Sequence, residues 1–312
     1  MKKTLFTLKN MVIRNIKLYS RDFVTMFFSL LSSVIILVLF ILFLKDVQID
    51  ATKLFLEGFK VSAAEKYIHG VVNGWFLSGV LAVSIISVGL SFYCVMIRDR
   101  EQGISADFWS SPVSKNLIKL SYLISSVFIN IIFNLIILAI GLVYLAITGT
   151  FFISFVDILM IIVNIIISSF SACLVMLLIS SMFTKESQFG AFTGILSAVI
   201  GFVIGAYMPV STFPTAIQYV VGFIPGSYSA CIFRNIFVTP ALDKLPHNAE
   251  LLAALEDYFS LKVNFCSLDV SYEICFAALI GSVILFGLLT YFLFKYKKTK
   301  DSVFRPKKVK AK

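Results

Sequence analysis

Long uninterrupted apolar runs dominate the chain. A bilayer's hydrocarbon core is crossed by roughly 20 apolar residues in a helix. Six stretches of about that length lack Asp, Glu, Lys and Arg: Phe23 to Leu44, Val71 to Ile97, Leu120 to Ile147, Ile158 to Phe183, Phe189 to Met208 and Ile274 to Phe294. The third stops where Thr148-Gly149-Thr150 interrupts the run. The pattern predicts an all-α polytopic membrane protein of six transmembrane helices, a single domain over 1–312. An even number of crossings puts both termini on one side.

Two further segments are patterned. In residues 1–22, Leu5, Leu8, Val12, Ile16 and Tyr19 recur at helical spacing, with Lys3, Lys9, Arg14, Lys17 and Arg21 opposite. That predicts an amphipathic helix in the membrane interface. In residues 209–273, the apolar run from Phe213 to Phe223 is punctuated by Pro209, Pro214 and Pro225 and is too short to span. It suits a re-entrant or interfacial helix. A short helix from Asn248 to Leu261, with Asn248 as N-cap and Glu250 near its start, completes an expected outer cap.

Composition agrees. Apolar residues make up 59% of the 312, and only 14% are charged, against roughly a quarter in soluble domains. A soluble enzyme, a disordered chain and a disulfide-framework miniprotein are excluded. The net charge of +10 would point to nucleic acid in a soluble protein, but its distribution is that of a membrane protein. The N-terminus, the second and fourth loops and the basic tail 295–312 hold 20 of the 27 Lys and Arg, and the other loops hold 7. The positive-inside rule therefore predicts both termini in the cytoplasm, beneath the cell membrane. The first hydrophobic stretch is too long for a cleaved signal and reads as a retained anchor.

Several chemistries are missing. The sequence has no phosphate loop, no G-x-G-x-x-G and no G-x-S-x-G. Its two His, His69 and His247, lie outside the spans, so no metal site is expected. Charge-free spans also argue against a carrier driven by an ionisable relay at membrane depth. Cys94, Cys173 and Cys275 fall in spans as small apolar residues, whereas Cys231 and Cys266 share the large outer loop, where an oxidising surface allows a disulfide.

Two sets of span residues stand out. Gly190, Gly194, Ala198, Gly201 and Gly205 form a small-residue face on the fifth span, suited either to packing within the chain or to contact with a second copy. Asn130, Asn134 and Asn164 are either interhelical hydrogen-bonding groups or contacts along a substrate path.

The second loop, 98–116, reads Arg98-Asp99-Arg100-Glu101-Gln102-Gly103, continues through Asp107-Phe108-Trp109, and ends Ser111-Pro112-Val113 before the next span. This order, with Arg14-Asn15-Ile16-Lys17 and Arg21-Asp22-Phe23 ahead of a Phe/Leu-rich span, resembles the permeases of ABC-2 type exporters. The resemblance implies a permease without its own motor: a separate ABC ATPase subunit, carrying ATP and Mg, docks beneath it, and a second permease chain completes the path. It also implies that 98–116 is the coupling loop, with Arg98, Glu101 and Gly103 at the ATPase contact and Asp107, Phe108 and Trp109 packing nearby. A mixed-charge segment holding a Phe-Trp pair suits an interface with an aromatic anchor and a polar rim, or equally an interfacial aromatic belt.

The expected function is export of a hydrophobic or amphipathic cargo, such as a drug, toxin, lipid-like metabolite or small peptide. Export of polysaccharide or glycolipid within the same family, and a non-transporting immunity or scaffold role, are the alternatives.

Overall fold

In the computed structural model, residues 2–61, 64–245, 249–265 and 268–296 are described. Asn248 and Cys266, the tail beyond 296 and the loop position His247 lie outside them. The order is α1 (Lys2–Arg21), α2 (Phe23–Leu39), a π-helical turn (Phe40–Leu44), α3 (Lys45–Gly58), α4 (Glu65–Phe92), α5 (Cys94–Glu101), α6 (Ile104–Ser110), α7 (Lys115–Ile147), α8 (Phe155–Ser180) and α9 (Glu186–Val203). Then follow α10 (Thr215–Gly222), α11 (Pro225–Leu242), α12 (Ala249–Tyr258), an antiparallel hairpin of β1 (Val263–Phe265) and β2 (Leu268–Val270), and α13 (Tyr272–Tyr296).

Among the described residues, six helices are long and apolar enough to cross a membrane, as the runs predict. Each is longer or differently bounded than its charge-free core. The first continues past Leu44 as α3, so most of the expected first loop is helix. The π turn keeps Phe40 inward, stacked on Phe76 with centroids 3.6 Å apart.

The core is built around α4, which is buried throughout its hydrophobic length and packs most extensively on α11, then on α2, α7 and α8. Small residues permit that closeness. A Cβ at Gly74 would lie 2.6 Å from the Phe237 carbonyl oxygen of α11, and one at Gly79 would lie 3.0 Å from Ala206. Serines on α4 satisfy themselves or a neighbour, as in Ser32–Ser87 at 2.9 Å. Buried polar atoms in a membrane bundle need such partners.

Where a re-entrant segment is expected, the chain makes a sharply bent helix pair, the shape of a re-entrant loop or of a broken span. Helices α10 and α11 meet at 97°. The apolar run supplies only α10, whereas α11, whose composition is mixed, inserts against α4 and was not legible as a helix of its own. The cap closes over this pair: α12 docks by Leu251, Leu255 and Phe259, and Tyr258 donates to Gln48 of α3 at 3.3 Å. The cap therefore lies on the α3 side, opposite α1, α5 and α6.

Arg234 of α11 is buried in the bundle. It is 3% exposed, and its guanidinium donates to the carbonyls of Ile204 (2.6 Å), Gly205 (2.9 Å) and Ser260 (3.4 Å). It thus closes the C-terminal end of α9, where unpaired carbonyls carry partial negative charge.

Candidate functional site

At the α1 side the chain makes an elbow. Helix α4 breaks at Tyr93, α5 continues to Glu101, and Gly103 (φ 80°) turns the chain into α6. A left-handed residue just past a helix end is cheap for glycine and strained for other residues. Ser114 then caps α7 by accepting from the Leu117 amide. Gln102 and Gly103 are exposed, with Asp107 beyond them on the outer side of α6, so the tip of the elbow faces away from the bundle.

The stem is held from five directions. Asp99, 3% exposed, accepts from Arg14 through two parallel contacts of 2.7 Å each and also from the Tyr122 hydroxyl. The same guanidinium lies 5.0 Å over the ring of Phe108, which ties α6 to α1. Asn15, fully buried beside it, donates to Ser121 of α7 at 3.2 Å. Helix α1, where an amphipathic interfacial helix is expected, thus also makes polar contacts with the bundle. Its inward stripe is Met11, Asn15 and Tyr19, while Leu5 and Phe6 point outward. Arg14 serves Asp99 rather than a lipid headgroup.

On the other side of α5, Arg98 bridges two acids. It donates to Asp22 at 2.6 Å and to Glu186 at 2.5 and 3.0 Å. Asp22 is the N-cap of α2, accepting from the Thr25 amide at 3.0 Å. Glu186 begins α9, and its amide donates to Glu101 at 2.7 Å. Glu101 therefore supplies from another helix the cap that Lys185 does not provide. Arg100 donates to the Phe183 carbonyl just past α8. One eight-residue helix, α5, is thus tied to α1, α2, α7, the end of α8 and the start of α9.

The electrostatics follow. The hydrogen bond to Asp99, working against burial, raises Arg14 above the usual guanidinium range. Burial alone would raise Asp22, but the Thr25 amide and Arg98 outweigh it and hold the carboxyl below its ordinary value.

The sequence-selected Arg98, Glu101, Gly103, Asp107 and Phe108 all gather at this elbow, with Trp109 also on α6. Arg98 and Glu101 are occupied by intrachain partners, and Glu101, Gly103 and Asp107 are exposed. Sequence reasoning quoted Arg14, Asp22 and Asp99 within motifs but selected neither them nor Glu186 as site residues. The one available signal was that each basic residue of Arg98-Asp99-Arg100-Glu101 has an acid beside it.

The fifth-span face divides in two. A Cβ at Gly190 or Gly194 would meet nothing within 4 Å. Both line a groove of about 580 Å³ with Ala198, Thr193, Ser197 and the α2 residues Phe28 and Ile35. Gly201 is instead filled by the Tyr207 ring, 2.4 Å from its would-be Cβ. Gly205 is past the helix, not on it. It sits at φ 74°, and the Ala206 amide returns to the Gly201 carbonyl at 2.8 Å, closing α9.

All three asparagines are fully buried. Asn130 donates to the Ile85 carbonyl at 2.6 Å, Asn134 donates to Asn130 and accepts from Ser84, and Asn164 donates to the Ser229 carbonyl at 3.1 Å. They join α4, α7, α8 and α11, and none lines the α2–α9 groove. Cys231 is a free, buried thiol whose Sγ lies 3.2 Å from that of Cys275, and its expected partner Cys266 lies outside the described residues. Among the described residues no cluster of three or more His, Cys, Asp or Glu is arranged to hold a metal.

A family model described as ABC-2 type transporter matches residues 7–238, from α1 through most of α11. The chain belongs to the ABC-2 type transporter family. It is a multi-pass membrane permease with a transport role, a transmembrane component rather than a catalytic domain, and membership implies partnership with an ABC ATPase. No curated protein matches the chain.

Proposed function

We propose that this ABC-2 permease is the membrane half of an ATP-driven exporter for an apolar or amphipathic cargo, with α5–α6 receiving the stroke of a separate ATPase. The observation that carries the reading is the shape of the elbow: an exposed tip at Gly103 and Asp107 on a stem locked to α1, α2, α7 and α9. Force applied at the tip reaches those helices through short charge-assisted bonds rather than through loose loops. ATP and Mg belong to the partner chain.

The same reading puts both termini and the elbow in the cytoplasm under the cell membrane, where the basic residues concentrate. A second permease chain, identical or related, would lie along the α2–α9 side, where Gly190 and Gly194 leave room for close approach. That groove is lined mainly by aliphatic and aromatic side chains with Thr and Ser interspersed. The lining favours a drug-, toxin- or lipid-like cargo over a long polar polymer.

The test is isolation of the tagged chain from its native membranes in mild detergent, with mass spectrometry of what accompanies it. A stoichiometric soluble chain bearing a phosphate loop supports the proposal. Recovery of the permease alone, repeated after crosslinking in intact cells, overturns it.

A further inference from the structure

A pair of thiols lies at the base of the cap. Cys231 on α11 and Cys275 in the first turns of α13 are both fully buried, and their sulfurs are 3.2 Å apart. Cys231 also donates to the Leu261 carbonyl, at the point where the cap returns toward the hairpin, and Asn235 donates to that carbonyl at 2.6 Å. The two thiols therefore meet where α11, α13 and the cap converge. All of α12 and the hairpin lie in the chain between them.

We propose that Cys231 and Cys275 are a disulfide-forming pair that, when oxidised, ties α11 to α13 and closes the cap into a covalent ring. The sulfurs need to approach by only about 1 Å to reach bonding distance. Helices α11 and α13 already pack along each other, so no refolding is required. Closing a loop that contains the whole cap restricts its open conformations, as a disulfide restricts any chain it encircles. Burial in apolar surroundings slows a thiol's attack, so the bond forms when the cap opens, or with a small apolar oxidant able to enter.

The chemistry balances by thiol–disulfide exchange with an aromatic disulfide. The Cys231 sulfur attacks one sulfur of dipyridyl disulfide, forming a mixed disulfide and expelling one thiopyridone, which carries off the first proton. The Cys275 sulfur then attacks the Cys231 sulfur and expels the second thiopyridone with the second proton. Two thiols are oxidised and one reagent disulfide is reduced.

The test uses the full chain in detergent with Cys94, Cys173 and Cys266 changed to Ser, treated with one equivalent of dipyridyl disulfide. The expected result is release of two thiopyridones per chain, a Cys231–Cys275 linked peptide in a non-reducing digest, and amide exchange in 249–261 slowed roughly fivefold until a reductant is added. Adding Cys275→Ser should cut the release to one and leave a mixed disulfide on Cys231. Release of only one thiopyridone, with a lasting mixed disulfide in the parent, would overturn the proposal. So would a Cys231–Cys266 link in the wild-type chain under the same treatment. Size-exclusion profiles matching the wild type confirm that each variant is folded, so loss of the link reports on the pair itself.

Discussion

Arg14 and Asp99, 85 residues apart, meet side-on, each guanidinium nitrogen 2.7 Å from its own carboxylate oxygen. The pair fastens the helix ahead of the first span to the stem of the elbow. It is half sheltered: Asp99 has 4% of its side chain exposed and Arg14 30%. Bidentate geometry makes such a pair stronger than an ordinary surface bridge. A double-mutant cycle of Arg14→Ala and Asp99→Ala, read by thermal unfolding in detergent, should give a coupling of about 1–3 kcal/mol. Strict additivity would mean that the contact holds nothing together.

The clasp at Asp22 carries a pH signature. Its folded carboxyl titrates below the ordinary 3.8, so the unfolded chain takes up the proton first as pH falls. Its contribution is complete above the unfolded value and is lost as pH drops through the folded one. The stability difference between wild type and Asp22→Asn should therefore be flat at neutral pH and shrink only in strong acid. A difference that already fades near neutrality would show that Asp22 is not held by Thr25 and Arg98.

Glycines on two helices should behave oppositely. Gly74→Ala drives a Cβ to 2.6 Å from the Phe237 carbonyl, and separating α4 from α11 should cost about 1–3 kcal/mol. Gly190→Ala meets open space and should be neutral or stabilising by up to about 1 kcal/mol for the isolated chain. If a second chain packs on the α2–α9 side, Gly194→Leu should leave chain stability intact and weaken self-association in a crosslinking assay. Unchanged association would remove that face from the proposed interface.

Arg234 should be indispensable to the cap side. Arg234→Ala leaves the Ile204, Gly205 and Ser260 carbonyls without their donor and should cost about 2–4 kcal/mol in thermal unfolding. Arg234→Lys, with one ammonium in place of a fork, should recover part of that loss. An Ala variant as stable as wild type would show that α9 ends securely without this contact.

Much of the scaffold was readable because lipid imposes length and apolarity on every crossing. Phe23, Val71 and Ile274 each mark the start of a charge-free run that lies within a real helix. The bend between α10 and α11 was readable from Pro214 and Pro225. Helix α11 was not, because its Ser, Arg and Asn positions are satisfied by α8, α9 and the cap, partners that no local pattern records. Arg234 illustrates this: a cation at that depth looks like an interface anchor until the α9 carbonyls it binds are placed around it. Gly205 illustrates the converse, since continuing the four-residue spacing put it on a helix that ends two residues earlier. At the elbow, the residue types were visible in 98–116. Their pairing with Arg14, Asp22 and Glu186 depends on long-range topology.

The coupling role of α5–α6 is the centre of the account. A photo-crosslinking amino acid at Asp107, exposed on α6 and outside the ion-pair network, tests it in native membranes without disturbing the fold. The account predicts a crosslinked product containing an ATPase chain, which is absent when the same label is placed at Lys53 on the cap side. A product limited to lipid, or to the permease itself, would contradict it.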